Sequence, residues 1–289
     1  MQVITSIPEM QQYSEKMRLS GQRIGVVPTM GYLHDGHLSL IRLAKEHSDF
    51  VITTVFVNPT QFSPEEDFEA YPRDLNRDIA LTESVGSDVV FAPSPPDVYN
   101  ANYLTYVNVE KITSLLEGKY RLTHFRGVTT VVAKLFNITK PHVAVFGQKD
   151  AQQVIVIKKM VKDLNYDVEI IVAPTVRESN GLAMSSRNVY ITNGEKDEAA
   201  VLFKSLKLAE SLVKNGEVSV PHIKSKMTDL ILSVPKMSID YVSFTDESTL
   251  DKVETVADKP ILISLAARFG NVRLVDNIVV NSERQNIKL

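Results

Sequence analysis

Short β-rich runs alternate with helical patterns through the first half of the chain, and this alternation constrains the fold more than any other feature. Candidate strands lie at 23–28, 50–57, 88–92, 142–146 and 168–173, with helical patterns at 37–47, 73–84, 128–138 and 151–164 between them. Strands that alternate with helices predict an α/β domain, a parallel sheet with helices on both faces. In such sheets ligands bind outside the carboxyl ends of the strands.

The rhythm changes after Pro174. A loop at 175–188 leads to helices near 195–214 and 220–232, then to short strands near 237–244, 260–267 and 273–275. Helices followed by strands predict a smaller α+β C-terminal domain, with the boundary near residue 175, and 289 residues is a length for two domains. The net charge of −3 supplies no global basic field, so neither nucleic acid nor an anionic membrane is an expected partner. The chain has no cysteine, which excludes disulfides, thiolate zinc sites and cysteine nucleophiles. The first twenty residues carry acids and lack a long apolar core, and no apolar run approaches the roughly 18 residues that span a bilayer. A cytoplasmic location is the expectation.

The most informative stretch is Pro28-Thr29-Met30-Gly31-Tyr32-Leu33-His34-Asp35-Gly36-His37, which follows a predicted strand and opens a predicted helix. Gly31 and Gly36 allow a tight turn or a close approach to a ligand. A helix N-terminus here offers N–H groups and a positive dipole end suited to phosphate. His34 and His37, three apart, project to one side of a first helical turn, where they donate to a phosphate or protonate a leaving oxygen. The plainer alternative is two loop histidines beside a cap. A zinc site lacks an obvious third ligand nearby.

Four further stretches carry polar groups at strand ends or in loops. Asn58 and Gln61, in Phe56-Val57-Asn58-Pro59-Thr60-Gln61-Phe62, are neutral groups suited to orienting a hydroxyl or carboxylate, or else members of a strand-ending turn. Phe146-Gly147-Gln148-Lys149-Asp150-Ala151-Gln152-Gln153 again follows a strand and opens a helix. There Lys149 is a cation for growing phosphate charge, Asp150 caps the helix or accepts from a ribose hydroxyl, and Gln153 lies one turn on. Gly181-Leu182-Ala183-Met184-Ser185-Ser186-Arg187-Asn188 combines hydroxyls, backbone N–H groups and a guanidinium, a clamp for a polyphosphate or a Ser-rich linker. In the basic, Gly-punctuated stretch 116–132, Arg121 or His124 faces an anionic substrate, or the stretch is a solvated loop with a helix cap.

Taken together these blocks are familiar. Pro-Thr-Met-Gly-x-Leu-His-x-Gly-His at 28–37 resembles the HIGH-type signature of the nucleotidyltransferase superfamily. Within it, the match is to the pantothenate synthetase (pantoate–β-alanine ligase) family. The blocks at 56–62, Tyr71-Pro72-Arg73, His124–Val128, 146–150 and 185–188, with Arg273-Leu274-Val275-Asp276-Asn277 near the end, recur there in this order and spacing.

The resemblance implies a Rossmann-like nucleotide- and pantoate-binding domain at 1–175 and a lid domain at 176–289. It implies ligation of pantoate and β-alanine at the expense of ATP through a pantoyl adenylate, in a homodimer. It gives His34 and His37 contact with the ATP phosphates, His37 being the proton donor, and sets Lys149 at the α-phosphate. Met30, Gly31, Gly36 and Gln148 line the nucleotide, and Gly147, Asp150 and Val176 hold the adenosine. Met184, Ser185, Ser186 and Arg187 hold the β- and γ-phosphates as a mobile flap. Gln61 and Gln153 bind pantoate, with Met30 and Asn58 beside them, and Arg121 and His124 complete the substrate side. Mg2+ accompanies ATP, with Asp78 as its ligand. The chain departs from the family pattern at Leu122-Thr123, where Pro-Gly is common, at Ala151, where an aromatic is usual, and at Asn180, where Asp is common. A nucleotidyltransferase acting on another acid and a nucleotide sensor without catalysis are the competing readings.

Overall fold

The computed structural model describes residues 1–64, 66–257 and 259–281. The chain forms two compact units, one of Met1–Gln148 with Gln153–Val176, the other of Lys149–Gln152 with the chain from Arg177 onward.

In the first unit, strand β1 (Gln2–Ile4) and helix α1 (Ile7–Leu19) come first, then β2 (Ile24–Thr29), α2 (Asp35–His47) and β3 (Phe50–Val55). Next are α3 (Leu75–Ser84), β4 (Val89–Phe91) and two single-turn helices, α4 (Pro95–Val98) and α5 (Glu117–Tyr120). The long α6 (His124–Thr139) leads to β5 (Val143–Gly147), α7 (Ala151–Asp163) and β6 (Glu169–Ala173). The strands form a six-stranded sheet in the order β1-β4-β3-β2-β5-β6, with every pairing parallel.

Side-chain alternation along each strand sorts the core into two layers. Val26, Ile52 and Ala144 pack with Met10 of α1, Val132 of α6 and Ile157 of α7. Their neighbours Val27, Val51, Val143 and Val145 pack with Leu38 and Ile41 of α2. Helices therefore cover both faces, and the central strands read as near-continuous apolar runs because neither side meets water. Val26, Val27, Val51 and Ile52 are all fully buried, each stabilising the fold by about 1.5–3 kcal/mol over an exposed side chain.

The strand order fixes where a ligand can enter. From β2 the chain winds outward through β3 to β4, and β5 then starts on the other side of β2 and winds outward to β6. The direction reverses between β2 and β5, so the loops leaving their carboxyl ends part and leave a crevice.

The second unit contains α8 (Asn193–Ala199), α9 (Val201–Lys214), α10 (Val220–Leu232), and strands β7 (Met237–Asp246), β8 (Ile261–Phe269) and β9 (Val272–Val280). The three strands form an antiparallel sheet in chain order. Leu206 of α9 and Ile223 and Met227 of α10 pack with Leu265 and Ala267 of β8.

Several boundaries differ from the sequence reading. β1 and α1 were not expected. The helix expected at 195–214 is two helices, which meet at Ala200 (φ −64°, ψ −7°). The strand expected at 273–275 runs Val272–Val280, because the polar residues Asp276 and Asn277 that read as its end are buried within it.

Candidate active site at the switch point

The turn from β2 to α2 sits at the reversal point, and its conformation depends on Gly31. Gly31 has φ +80°, and a Cβ there would meet Asp78 Oδ2 at 2.9 Å and Val55 Cγ1 at 3.0 Å. Glycine avoids both the strained backbone and the contact. Asp78 of α3 then takes the turn: its Oδ2 accepts from Tyr32 N and its Oδ1 from Leu33 N, each at 2.7 Å.

The sequence reading expects Asp78 as a Mg2+ ligand, and the structure sets its carboxylate on the backbone of this turn. Asp78 is 1% exposed, and each carboxylate oxygen receives a backbone N–H. Burial pushes its carboxyl above the usual range, opposed by the two N–H donors. Among the described residues, no group of three or more His, Cys, Asp or Glu side chains converges to hold a metal. Asp78 holds the turn.

His34 and His37 form a reciprocal cap at the start of α2. His34 Nδ1 accepts from Gly36 N at 3.2 Å, and His37 Nδ1 accepts from His34 N at 3.3 Å. The two rings lie 4.1 Å apart, so the structure brings this expected pair together. An Nδ1 that accepts leaves the proton of the neutral ring on Nε2. Each imidazole thus carries an Nε2–H donor, at a helix N-terminus whose dipole favours negative charge.

The turn after β3 holds the next group. Asn58 is 1% exposed, and its Nδ2 donates to Gln61 Oε1 at 3.0 Å and to the Gly127 carbonyl at 3.1 Å. Its Oδ1 accepts from Thr60 N, Thr60 Oγ1 and the Tyr99 hydroxyl. Asn58 therefore spends its hydrogen bonds on the turn and orients Gln61. Gln61 Nε2 donates to Met30 Sδ at 2.9 Å, so both ends of its buried amide are held. Helix α6 packs tightly here, since a Cβ on Gly127 would meet the Thr60 carbonyl oxygen at 2.4 Å.

Arg121 and His124, expected on the side of an anionic substrate, are placed against Glu66 and the backbone of Gln61. Arg121 donates to both carboxylate oxygens of Glu66, at 2.7 and 2.8 Å, which offsets its charge. His124 Nε2 lies 3.1 Å from Arg121 Nη1, and its Nδ1 lies 3.0 Å from the Gln61 carbonyl oxygen. A guanidinium only donates and a carbonyl only accepts, so this wiring makes His124 a neutral ring protonated on Nδ1. Both residues brace the backbone of Gln61. Glu66 and Tyr99 were missed in the sequence, where nothing local marks either as a partner of residues so far along the chain.

Gly147 ends β5, Gln148 follows it, Gln153 lies half-buried on α7, and Val176 follows β6. Gly147 and Gln148 thus lie at the carboxyl end of β5, the neighbour of β2, and Val176 lies beyond the carboxyl end of β6, the next strand out. In the second unit, Lys149 Nζ lies 3.5 Å from Asp150 Oδ1. The loop from Arg177 to Asn188 is closed on itself: Arg177 pairs with Ala183, and Asn188 Nδ2 donates to the Ala183 carbonyl and to Glu178 Oε1. Within it, Ser185 Oγ accepts from Arg187 N at 3.2 Å, capping a 3-10 turn over Ser186–Tyr190, with Met184 half-buried beside it.

A doubly wound parallel sheet, with a histidine cap and an oriented amide after its central strands, defines the chain as an α/β protein of the class whose ligand sites lie at the switch point. The sequence profile of the pantoate-beta-alanine ligase family matches residues 2–279. The chain is 53% identical over 280 residues to the pantothenate synthetase of Acetivibrio thermocellus, covering 97% of this chain and 99% of that one. It is 55% identical over 277 residues to that of a Thermoanaerobacter species, covering 96% and 98%. Among solved structures, pantothenate synthetase from Thermus thermophilus superposes with TM-score 0.90 at 40% identity over 96% of this chain and 99% of that one. The pantoate-beta-alanine ligase of Francisella tularensis, complexed with beta-gamma ATP and beta-alanine, gives TM-score 0.80 at 36% identity over 96% and 97%. The chain belongs to the pantoate–β-alanine ligase family, enzymes that ligate pantoate and β-alanine. No helix among the described residues is long and apolar enough to cross a membrane.

Proposed function

We propose that the ligation is ATP-dependent and runs through an acyl adenylate. The carboxylate oxygen of pantoate attacks the α-phosphorus of ATP. The bond to the bridging oxygen breaks, giving pantoyl adenylate and pyrophosphate. The amine of β-alanine then attacks the acyl carbon, the amine loses a proton, and AMP leaves as the amide of pantothenate forms. The observation that carries this reading is the reciprocal cap of His34 and His37, which fixes two imidazole rings side by side, 4.1 Å apart, at one helix N-terminus. The first step brings an anion onto a polyanion, and the N–H donors of such rings offset the repulsion.

In this reading His37 protonates the departing pyrophosphate oxygen and His34 holds a phosphate beside it. Lys149 offsets charge at the α-phosphate, and Met184, Ser185, Ser186 and Arg187 hold the β- and γ-phosphates. Met30, Gly31, Gly36, Gly147, Gln148, Asp150 and Val176 line the nucleotide. Gln61 and Gln153 bind pantoate, with Asn58 orienting the first. Mg2+ enters with the ATP phosphates rather than as an ion held by the protein. Residues 1–175 bind the nucleotide and pantoate and 176–289 supply the phosphate flap, in a cytoplasmic homodimer.

The test is isotope exchange between pyrophosphate and ATP. The expected result is exchange that needs pantoate but not β-alanine. Exchange driven by a different acid would remove the substrate assignment, and no exchange with any acid would remove the adenylate. Lys149→Ala is expected to slow exchange by orders of magnitude with the melting temperature unchanged.

A further inference from the structure

We propose that Asn277 on β9 is a positioning residue for this reaction: it fixes the backbone at Lys149, while its neighbour Asp276 holds Arg177 at the root of the loop that follows. The proposal rests on the assignment of Lys149 to the ATP phosphates.

Asn277 Nδ2 donates to the carbonyl of Lys149 at 2.8 Å, across 128 positions of sequence. Asp276 receives Arg177 in a two-pronged ion pair, Oδ2 from Nη1 at 2.6 Å and Oδ1 from Nη2 at 2.9 Å, across 99 positions. Both residues are buried, at 4% and 5% exposure. Their partners across the strand pair on β8 are Leu265 and Ser264, so the ladder does not require a carboxylate and an amide here. Burying such groups is costly unless they are bonded. Strand geometry sends the side chains of consecutive residues to opposite faces, so this adjacent pair can serve two separate chain segments.

Both segments carry phosphate-handling residues in the reading above. Lysine is a point charge on a flexible four-carbon stem, so the position of its backbone decides what the ammonium can reach. Holding the Lys149 carbonyl sets that root. Arg177 is held on three sides: by Asp276, by the Gly181 carbonyl at 3.1 Å, and by the Phe203 ring, whose centroid lies 3.9 Å from the guanidinium carbon. Through its pairing with Ala183, Arg177 sets the entry to the turn at Ser185–Arg187.

The experiment is a double-mutant cycle read by pantoate-dependent pyrophosphate exchange, with the melting temperature of each protein recorded. Asn277→Ala is expected to lower the maximal exchange rate about 100-fold, the scale of an ångström of misplacement, with KM for pantoate nearly unchanged. Asn277→Asp, nearly isosteric, sets a second acceptor against the Lys149 carbonyl and is expected to fall at least as far, so a poorly folded alanine variant does not decide the result. The double variant Lys149→Ala/Asn277→Ala is expected to be no slower than Lys149→Ala, because Asn277 acts through that lysine. Losses that multiply in the double variant, or a slow Lys149→Ala beside an Asn277→Asp enzyme at full rate, overturn this proposal alone. A Lys149→Ala enzyme at full rate overturns the assignment of the lysine, and the proposal with it.

Discussion

Asn58 donates to Gln61 Oε1 at 3.0 Å, and this bond aims the neutral amide that we assign to pantoate. Asn58→Ala is expected to raise KM for pantoate about 10-fold, the scale of one hydrogen bond lost from a fixed geometry. Adding Gln61→Ala should cost little more, because the two act as a unit. Steady-state kinetics with pantoate varied at saturating ATP checks this, and additive losses would separate the two residues.

Tyr99 reaches the same turn through its hydroxyl, which donates to Asn58 Oδ1 at 2.9 Å. Burial pushes its phenol up to about 12. A raised value means that the folded state holds this proton more tightly than the unfolded chain. The contribution is intact below the ordinary value of 10 and is lost as pH climbs through about 12. Urea unfolding at a series of alkaline pH values should show wild-type stability falling more steeply in that window than the stability of Tyr99→Phe. Parallel curves would remove Tyr99 as the cause.

Asp78 separates a structural role from a metal role. Asp78→Asn keeps one acceptor for Tyr32 N and Leu33 N and is expected to lower stability by about 1–3 kcal/mol. The Mg2+ concentration that gives half-maximal exchange should be unchanged. A several-fold rise in that concentration would return Asp78 to the metal.

Asp276→Ala leaves the Arg177 guanidinium, 18% exposed, without its carboxylate. Losing one partner of such a pair costs about 3 kcal/mol, which in a protein of this size lowers the melting temperature by about 5 °C. Arg177→Met/Asp276→Leu, which removes both charges, should recover most of that loss. Calorimetry distinguishes the cases.

His142 governs part of the acid limb. Its Nδ1 accepts from Ile24 N at 2.9 Å, and burial, with Arg18 and Arg23 nearby, holds its value below the usual 6.5. A lowered histidine value means that the unfolded chain binds this proton more readily. The contribution is intact above pH 6.5 and is lost as pH falls through the lower folded value. His142→Gln, which retains an acceptor, should flatten stability against pH below 6.5. An unchanged slope would assign the acid limb to other groups.

The sheet was legible in the sequence because its central strands are buried on both faces and flanked by turns that contain glycine or proline. β1 was not, since three residues, Gln2–Ile4, are too few to show a period. Helix α1 was missed although Ser6 caps it and Pro8 sits in its first turn, because it buries only Met10 and Ser14 and shows little of an apolar stripe. At the site, short-range geometry such as the cap of His34 and His37 could be read from spacing three. The pairings of Asn58 with Tyr99, Arg121 with Glu66 and Arg177 with Asp276 could not, because each joins segments that only the folded chain brings together. Asp276 and Asn277 read as a strand end because a polar pair usually meets water. Here Arg177 and the Lys149 carbonyl replace that water.

β5 pairs with β2 where the winding reverses, and the bond from Ile24 N to His142 beside that pairing spans 118 residues. A nascent chain that has completed β2, β3 and β4 has the histidine turn but lacks the wall opposite it. Until β5 emerges from the ribosome, that half-built edge has neither its neighbouring strand nor a pocket. A truncated fragment ending before Val143 is therefore not a miniature of the enzyme but a sheet with its functional margin unpaired.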